Sequence, residues 1–285
     1  MSRRRSALLQ DSETIAGLAR GLRVLEAFNE GEEQMTLSEV ARLTSISPAA
    51  VRRSLRTLAS LGYVSSVDRH FLLSARVLLL GSAYLRSANI ERMLMPELHR
   101  LVGLFGDTAG IAVLAGTNVI YIAHHCTPRG RRPVAGAGVT YPAYATSLGR
   151  VLLASLDERA LDEYFATAHL DKLTALTEVN PKHLRAILRQ VRKQGFATIV
   201  DQLFYGVTSL TVPIVNATGE TIAALNTSVY TGQMTAKDLV KTRLSELRKS
   251  SEQLTQIISS HPVLQQSLQI APERKRDIPK LPTPT

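Results

Sequence analysis

Apolar side chains recur three and four positions apart at Ile15, Leu18, Leu22, Leu25 and Phe28, the period of a helix that buries one stripe. Arg20, Arg23 and Glu26 fall between them, and Gly31 is placed to end the element. Thr36-Leu37-Ser38-Glu39 reads as a capping box, in which the Thr36 hydroxyl and the Glu39 carboxylate each satisfy an orphan amide. Val40, Ala41 and Leu43 give this short second helix its apolar side, and Thr44-Ser45-Ile46 makes a tight turn. Ser47-Pro48 opens a third helix, because Ser47 can cap and Pro48 suits the first helical position. Val51, Leu55 and Leu58 form its stripe; at about 100° per residue, Arg52, Arg53 and Arg56 gather opposite. Gly62 is placed to stop it. Tyr63 to Val67 and Phe71 to Leu73 are strand-like runs around the polar turn Asp68-Arg69-His70, a small hairpin.

Helix, short helix, tight turn, basic helix and hairpin is the order of a winged helix-turn-helix, whose second turn helix enters the major groove of DNA. From Val40 to Arg76 six basic residues stand against one acid, a local charge of +5. A solvated charged helix in a small structural domain is the plainer explanation of such a run. The ordered set of capping box, turn, Ser-Pro and wing favours DNA. Arg53 and Arg56 are assigned to phosphate or base contact, with Thr36, Ser47, Pro48, Ala49, Ala50 and Arg52 near the groove. Arg69 and His70 are placed at the wing tip, against backbone or minor groove. Phosphate contacts position a protein and base contacts specify the sequence, so the pattern alone does not sort them.

Ser74-Ala75-Arg76 begins a further helix with Val77, Leu78, Leu80, Tyr84 and Leu85 apolar. It is expected to connect two domains and to pack, with a second copy of itself as a candidate partner. Beyond Glu91 the pattern changes. Met95-Pro96 opens a helix through Leu98, Leu101, Val102 and Phe105. Ile111 to Ala115 and Val119 to His124 are strand-like around Gly116-Thr117-Asn118, and a loop rich in Arg, Pro and Gly runs from Thr127 to Gly138. Ser147 to Leu156 reads as a helix, Asp157 can cap the next, and Asn180-Pro181 starts one that ends before Gly195. Ala197 to Val200, Ser209 to Val215 and Thr221 to Tyr230 are strands, and a last helix runs from about Thr235 to Ser260. From Pro262 periodicity is lost, and Arg274, Lys275 and Arg276 among prolines read as a solvated tail. An α/β domain is expected, with an antiparallel sheet and helices on at least one side, able to enclose a small molecule.

Composition narrows the functional classes. A chain of 285 residues, 45% hydrophobic and 20% charged, suits two ordinary domains and excludes wholesale disorder. The single cysteine, Cys126, excludes an intrachain disulfide framework and a Cys-based zinc site. A net charge of +10 favours nucleic acid, an anionic surface or anionic ligands. No run is apolar enough to span a bilayer. The basic start Met1 to Arg5 lacks the apolar stretch of an export signal, so a cytoplasmic protein with no membrane partner is expected. Cys126 after His124 and His125 invites a nucleophile or a metal. Adjacent strand residues face opposite ways, however, and no suitably spaced third ligand or carboxylate pair lies nearby. Walker, GxSxG and HExxH patterns do not occur. The expectation is no metal, no cofactor and no enzyme. Two alternatives stand beside it: an enzyme with a nucleic-acid-binding N-terminal domain, and an architectural DNA-binding protein without an effector.

Ile15 to Leu22, Thr36 to Val40 and Ser47 to Leu58 resemble the DNA-binding half of the IclR family of bacterial transcriptional regulators. Tyr144 to Ala154 resembles a signature of that family's effector-binding half, as do Gln194-Gly195-Phe196, Asp201-Gln202, Gly206 and Ser209 to Pro213. Pro142 to Ser147 and Ala223 to Asn226 are similar to its PcaR/PcaU/PobR branch, which controls breakdown of protocatechuate, hydroxybenzoate and related compounds through the β-ketoadipate pathway. The resemblance implies an α+β protein. After a basic arm (1–13), a winged helix-turn-helix domain (14–75) is joined by a linker helix (76–89) to a GAF-like α/β effector-binding domain (90–262), with a disordered tail (263–285). It also implies a homodimer or dimer of dimers on double-stranded operator DNA and a pocket beside the sheet.

Matching the family's pocket segments gives Ser147, Leu148, Ile199, Ser209, Asn226 and Ser228, with Gly130 and Pro133 on a loop along one side. Ile199 and Val200 stand where some members carry acids, and Leu203-Phe204-Tyr205 replaces a usually acidic stretch, so the site is less negative. For an aromatic or dicarboxylic acid the serines and Asn226 offer donors, and Arg129, Arg131 or Arg132 offer a guanidinium fork. Leu148 and Ile199 offer walls. Loop arginines in solvent, and Ser and Asn that only satisfy sheet edges, are the plainer alternative for each single residue.

Overall fold

The computed structural model describes residues 15–29, 31–127 and 136–269. The basic arm and the loop residues Arg129, Gly130, Arg131, Arg132 and Pro133 lie outside the described residues. The chain divides between Ala83 and Tyr84 into two compact units.

In the first unit α1 (Ala16–Glu26) is followed by a 3-10 turn, β1 (Met35–Thr36), α2 (Leu37–Thr44), α3 (Pro48–Ser60), β2 (Val64–Val67) and β3 (His70–Leu73). The capping box forms: the Thr36 amide donates to Glu39 Oε2 at 2.7 Å and the Glu39 amide to Thr36 Oγ1 at 3.4 Å. Ser45, at φ 54°, adopts the left-handed conformation that reverses the chain into α3. Val24, Met35, Val40, Val51, Leu55, Leu58 and Val64 fill the core, each full side-chain burial contributing about 1.5–3 kcal/mol. Ser47 holds the N-cap position of α3 without a side-chain cap; its carbonyl receives the Ala50 and Val51 amides instead.

Two expectations for this unit are corrected. Ala50, expected near the groove, faces the core: it is 8% exposed, because α3 carries α1 on one side as well as its own apolar stripe. His70 closes the wing turn and is not one of the two residues at its apex. The turn is made by Asp68, at φ 54°, and Arg69, while His70 opens β3 and is paired with Thr36 on one side and Val67 on the other.

A 3-10 turn (Ala75–Val77), capped by the Ser74 hydroxyl, leads into α4 (Leu78–Ser87). The unit boundary falls inside α4.

The second unit continues with α5 (Ile90–Met93), α6 (Met95–Phe105), β4 (Thr108–Ala115), β5 (Asn118–Cys126), β6 (Thr140–Pro142), α7 (Ser147–Ser155), α8 (Glu158–Thr167), α9 (Pro181–Gln194), β7 (Ala197–Val200), β8 (Val207–Val215), β9 (Thr221–Tyr230), α10 (Ala236–Ser259) and α11 (Pro262–Leu268). The six strands pair antiparallel in the order β6-β5-β4-β9-β8-β7. Both faces are covered. On one, Leu98, Leu101, Leu247, Leu254 and Ile258 pack on Ile111, Val113, Leu210, Val212 and Leu225. On the other, Leu148, Val151, Leu152, Leu188 and Val191 pack on Ala112, Val119, Ala197 and Ala224. The period of two along a strand explains the split: Leu210 and Val212 turn to α10, so Ser209 and Thr211 turn to α7.

The tail expected from Pro262 onward is corrected for its first residues. Pro262–Leu268 is helical, and Leu264 and Leu268 are buried in the α10-side core. Among the described residues no helix is long and apolar enough to cross a membrane.

Candidate functional site

On α3 the exposed positions are those the helical period placed opposite the core: Ser47, Pro48, Ala49, Arg52, Arg53 and Arg56. Arg53 also borders the groove between α3 and α1, beside Arg20 and Gly21. Arg69 is exposed in the wing turn. The Thr36 hydroxyl is engaged within the cap, donating to Glu39 Oε2 at 2.8 Å. The first unit therefore presents one helix N-terminus, three guanidinium groups on α3 and the Arg69 guanidinium of the wing turn to solvent, the chemistry of a phosphate-lined groove.

In the second unit the sheet face towards α7 gathers the six expected residues that are described. Ser209 is paired with Ile199 on β7 and with Ser228 on β9, so all three share a face. Thr211 is paired with Asn226, and Asn226 with Gly110. Thr146 caps α7 by accepting the Gly149 amide at 2.9 Å, which sets Ser147 at the helix N-terminus over this face. Ser147 Oγ lies 2.7 Å from Ser209 Oγ, and the Thr211 hydroxyl donates to Ser147 Oγ at 2.7 Å. Ser147, Leu148, Ile199, Ser209 and Asn226 are buried and Ser228 is half-buried. Asn226 Nδ2 donates to Ser228 Oγ at 3.2 Å and to the Tyr121 hydroxyl at 3.5 Å.

Gly149 lets α7 pack against the 3-10 turn Ala143–Ala145 that precedes it. A Cβ there would sit 2.1 Å from the Ala143 carbonyl oxygen. Arg150, 3% exposed, donates to the Tyr144 carbonyl at 3.1 Å and to Gln202. Burial pushes its guanidinium down to about 10, partly offset by Glu178, which still leaves it a cation at neutral pH.

Thr211 and Tyr121 belong to this face and were not singled out from the sequence; His124, weighed there only beside His125 and Cys126 for a nucleophile or a metal, belongs to it too. Thr211 follows from the period of two after Ser209. Tyr121 and His124 are three apart, which in a regular strand means opposite faces. The pairing of β4 with β5 slips between Ile111 and Ala112, where Ile111 meets Ala123 and Ala112 meets Tyr121. This bulge turns both rings to the α7 side, and their centroids stand 5.9 Å apart. His125 turns the other way, to a 4.2 Å contact with His99, as the expectation for adjacent strand residues required. Burial holds the Tyr121 phenol well above its ordinary range, so it acts as a neutral hydrogen-bonding group.

A winged helix-turn-helix with exposed arginines, on one chain with an α/β unit whose sheet face carries buried hydroxyls, defines a ligand-responsive, DNA-binding transcriptional regulator. Residues 17–68 match the IclR helix-turn-helix domain and residues 82–256 match the bacterial transcriptional regulator IclR C-terminal domain. The chain belongs to the IclR family. It is 38% identical over 254 residues to a Pca regulon regulatory protein of Pseudomonas putida, covering 89% of this chain and 87% of that one. It is 32% identical over 255 residues to the p-hydroxybenzoate hydroxylase transcriptional activator of Acinetobacter baylyi, covering 88% and 94%. Among solved structures, the PobR inducer-binding domain from Acinetobacter, a double mutant in complex with 3-hydroxybenzoic acid, superposes with a TM-score of 0.53 at 30% identity, over 56% of this chain and 94% of that one.

Proposed function

We propose that this protein binds double-stranded operator DNA through α3 and the wing, and that an aromatic or dicarboxylic acid bound on the α7 side of the sheet changes that binding, in control of genes for aromatic-compound breakdown. The buried hydroxyl set carries the ligand half of this reading. Ser147, Ser209 and Thr211 are 1%, 4% and 0% exposed, where a domain built only to dimerise would pack carbon. A buried polar group costs about 1–3 kcal/mol unless it is hydrogen-bonded, and here the bonds run among the hydroxyls themselves. A ligand with oxygen atoms can exchange with them at little cost. The names of the two relatives and the ligand of the solved inducer-binding domain support the chemical class.

Pairing of copies is supported by the first unit. Leu78, Leu79 and Leu80 are 73%, 61% and 53% exposed, and Ile15 and Leu18 on α1 are exposed as well. A homodimer, or a dimer of dimers, would cover them and set two α3 helices in successive major grooves, roughly 34 Å apart. The effector then acts through a coupling free energy between two sites. On this reading the protein works in the cytoplasm and catalyses no reaction.

Fluorescence anisotropy on DNA from upstream of the gene tests it, with and without 4-hydroxybenzoate, protocatechuate and β-ketoadipate. Binding should exceed that to random duplex and shift with one of the acids. Ser209→Ala combined with Asn226→Ala should keep the DNA affinity and lose the shift. Equal binding to random DNA at every salt concentration would refute the DNA half; a surviving shift in the double variant would refute the site.

A further inference from the structure

Strands β6 and β7 are the opposite edges of the six-stranded sheet. In a flat sheet, five spacings of about 4.8 Å would hold them roughly 24 Å apart. Tyr141 on β6 and Phe204, in the loop after β7, nevertheless meet edge to face, with ring centroids 5.5 Å apart and planes at 83°. Tyr141 is paired with Val119, whose side chain packs on the α7 side, so the contact closes over the face that carries the hydroxyls. Tyr121 continues the series at 6.2 Å and 88° from Tyr141, and His124 stands 5.9 Å and 86° from Tyr121. Four rings from β5, β6 and the β7–β8 loop thus stand in sequence, each nearly perpendicular to the next.

The loop that presents Phe204 is built, not slack. Asp201 sits at φ 53°, and its Oδ1 accepts the Gly206 amide at 2.7 Å, the Val207 amide at 3.0 Å and the Thr231 hydroxyl at 2.8 Å. The Thr174 hydroxyl donates to the Asp201 carbonyl at 2.6 Å and the Thr177 hydroxyl to the Gln202 carbonyl at 2.7 Å. Arg150 holds the Gln202 side chain. Leu203 packs against the cluster of Tyr144 and Leu184, and the Tyr205 hydroxyl accepts the Ala175 amide at 2.9 Å. Phe204 is therefore fixed before any ligand arrives, and a preformed wall avoids the ordering cost of a mobile one.

We infer that Phe204 and Tyr141, with Tyr121 and His124 behind them, form the ring-recognising wall of the effector site, which selects a hydroxybenzoate-class aromatic monocarboxylate over a ring-free dicarboxylate. This rests on the reading that the ligand sits on the α7-side face. Perpendicular rings offer edges and faces that a further aromatic ring can meet and a saturated chain cannot, and such pairs add to binding beyond buried area. The polar floor points the same way. Ser147, Ser209, Thr211, Asn226 and Ser228 are neutral donors, sufficient for one carboxylate and the ring hydroxyls. The guanidinium of Arg150 is engaged by the Tyr144 carbonyl and Gln202.

Isothermal titration of the full-length protein with 4-hydroxybenzoate, its saturated analogue 4-hydroxycyclohexanecarboxylate, and adipate tests the inference. The wild type should prefer the aromatic acid over its saturated analogue by about tenfold, the upper end of what an aromatic pair contributes. Phe204→Leu and Tyr141→Leu should bring that ratio close to one, while Phe204→Tyr, which keeps the ring, should retain it. Wild-type melting temperature in each variant excludes misfolding as the cause. An unchanged ratio in both leucine variants, or tighter wild-type binding of adipate, would overturn the wall. If the wild type binds none of the three acids, the ligand class proposed above fails and this inference with it; if it binds the aromatic acid and the variants do not differ, only the wall is wrong.

Discussion

On α3 the guanidinium groups of Arg52, Arg53 and Arg56 stand in solvent, on the side of the helix opposite the buried Val51, Leu55 and Leu58. On the α7-side face of the sheet, Ser147, Ser209, Thr211 and Asn226 lie inside the fold and bond to one another or to their neighbours. The first arrangement suits a polyanion that arrives from outside and is held by charge, at a cost of little beyond side-chain entropy and displaced counterions. The second suits a small molecule that must be surrounded, where each donor is supplied already desolvated and must have a partner while it waits. Polar residues exposed for DNA can change with little effect on their neighbours; removing one buried for a ligand takes a hydrogen-bond partner from the next.

Two arginines make that contrast measurable. Arg243 on α10 is 5% exposed. It pairs with Asp107 at 2.6 Å, donates to Thr227 Oγ1 at 3.0 Å and lies 4.6 Å over the Phe105 ring. Arg243→Ala leaves the Asp107 carboxylate without this cation in a low-dielectric position and should cost about 3–5 kcal/mol in denaturant unfolding of the second unit. Arg52→Ala, with the same charge removed from an exposed place, should change stability by no more than about 0.5 kcal/mol. It should weaken DNA binding and reduce the log–log salt slope by about 0.9, one phosphate contact. An unchanged slope would take Arg52 out of the interface, and a stable Arg243→Ala would mean that burial does not divide the two regions.

Glycine sharpens the same division with a smaller effect. Gly149→Ala would bring a Cβ to 2.1 Å from the Ala143 carbonyl oxygen and 2.3 Å from its Cα, and backbone cannot rotate out of the way. Overpacking of this kind costs typically 1–3 kcal/mol. The shift of α7 should also part Ser147 from Ser209, so calorimetry should show weaker effector binding together with a lower melting temperature. On α1, a Cβ at Gly21 would meet nothing within 4 Å. Gly21→Ala should therefore stabilise the first unit by up to about 1 kcal/mol through helix propensity. A loss there would indicate that a second copy packs against that groove.

These differences decide what the sequence disclosed. The recognition helix was legible because its determinants are local: a Ser-Pro start, a stripe at Val51, Leu55 and Leu58, arginines on the other side. Ala50 was misplaced because a helical wheel locates the stripe and not the second neighbour, α1, that covers an adjoining side. His70 was misplaced because a two-residue turn at Asp68 and Arg69 draws it into the strand. The effector face could not be assembled from spacing, since its residues come from α7, β4, β5, β7, β8 and β9; family resemblance supplied Ser147, Ser209, Asn226 and Ser228, and the strand register explains why they meet. Tyr121 and His124 were hidden by a bulge that breaks the period of two. The meeting of Tyr141 with Phe204 was hidden because a curled sheet brings its two edges together. The short α11 escaped because Leu264 and Leu268 alone, one turn apart, make too brief a pattern.

The smallest effect concerns a device that both regions share. Thr36 caps α2 with Glu39, and Thr235 caps α10 with Asp238, whose amide donates to Thr235 Oγ1 at 3.2 Å. Thr36→Ala and Thr235→Ala should each cost about 1 kcal/mol, but only the first should weaken DNA binding, since α2 supports the turn into α3. The Thr36 amide, and then its hydroxyl, hold the Glu39 carboxyl below its ordinary value of 4.5. A carboxylate depressed in the folded state contributes stability that is present above the unfolded value and lost as pH falls through the folded one. The stability gap between wild type and Glu39→Gln should thus be constant from neutral pH down to about 4.5 and close below it. Measured by thermal unfolding across that range, a gap that persists into strong acid would show that the carboxylate charge is not what holds the start of α2.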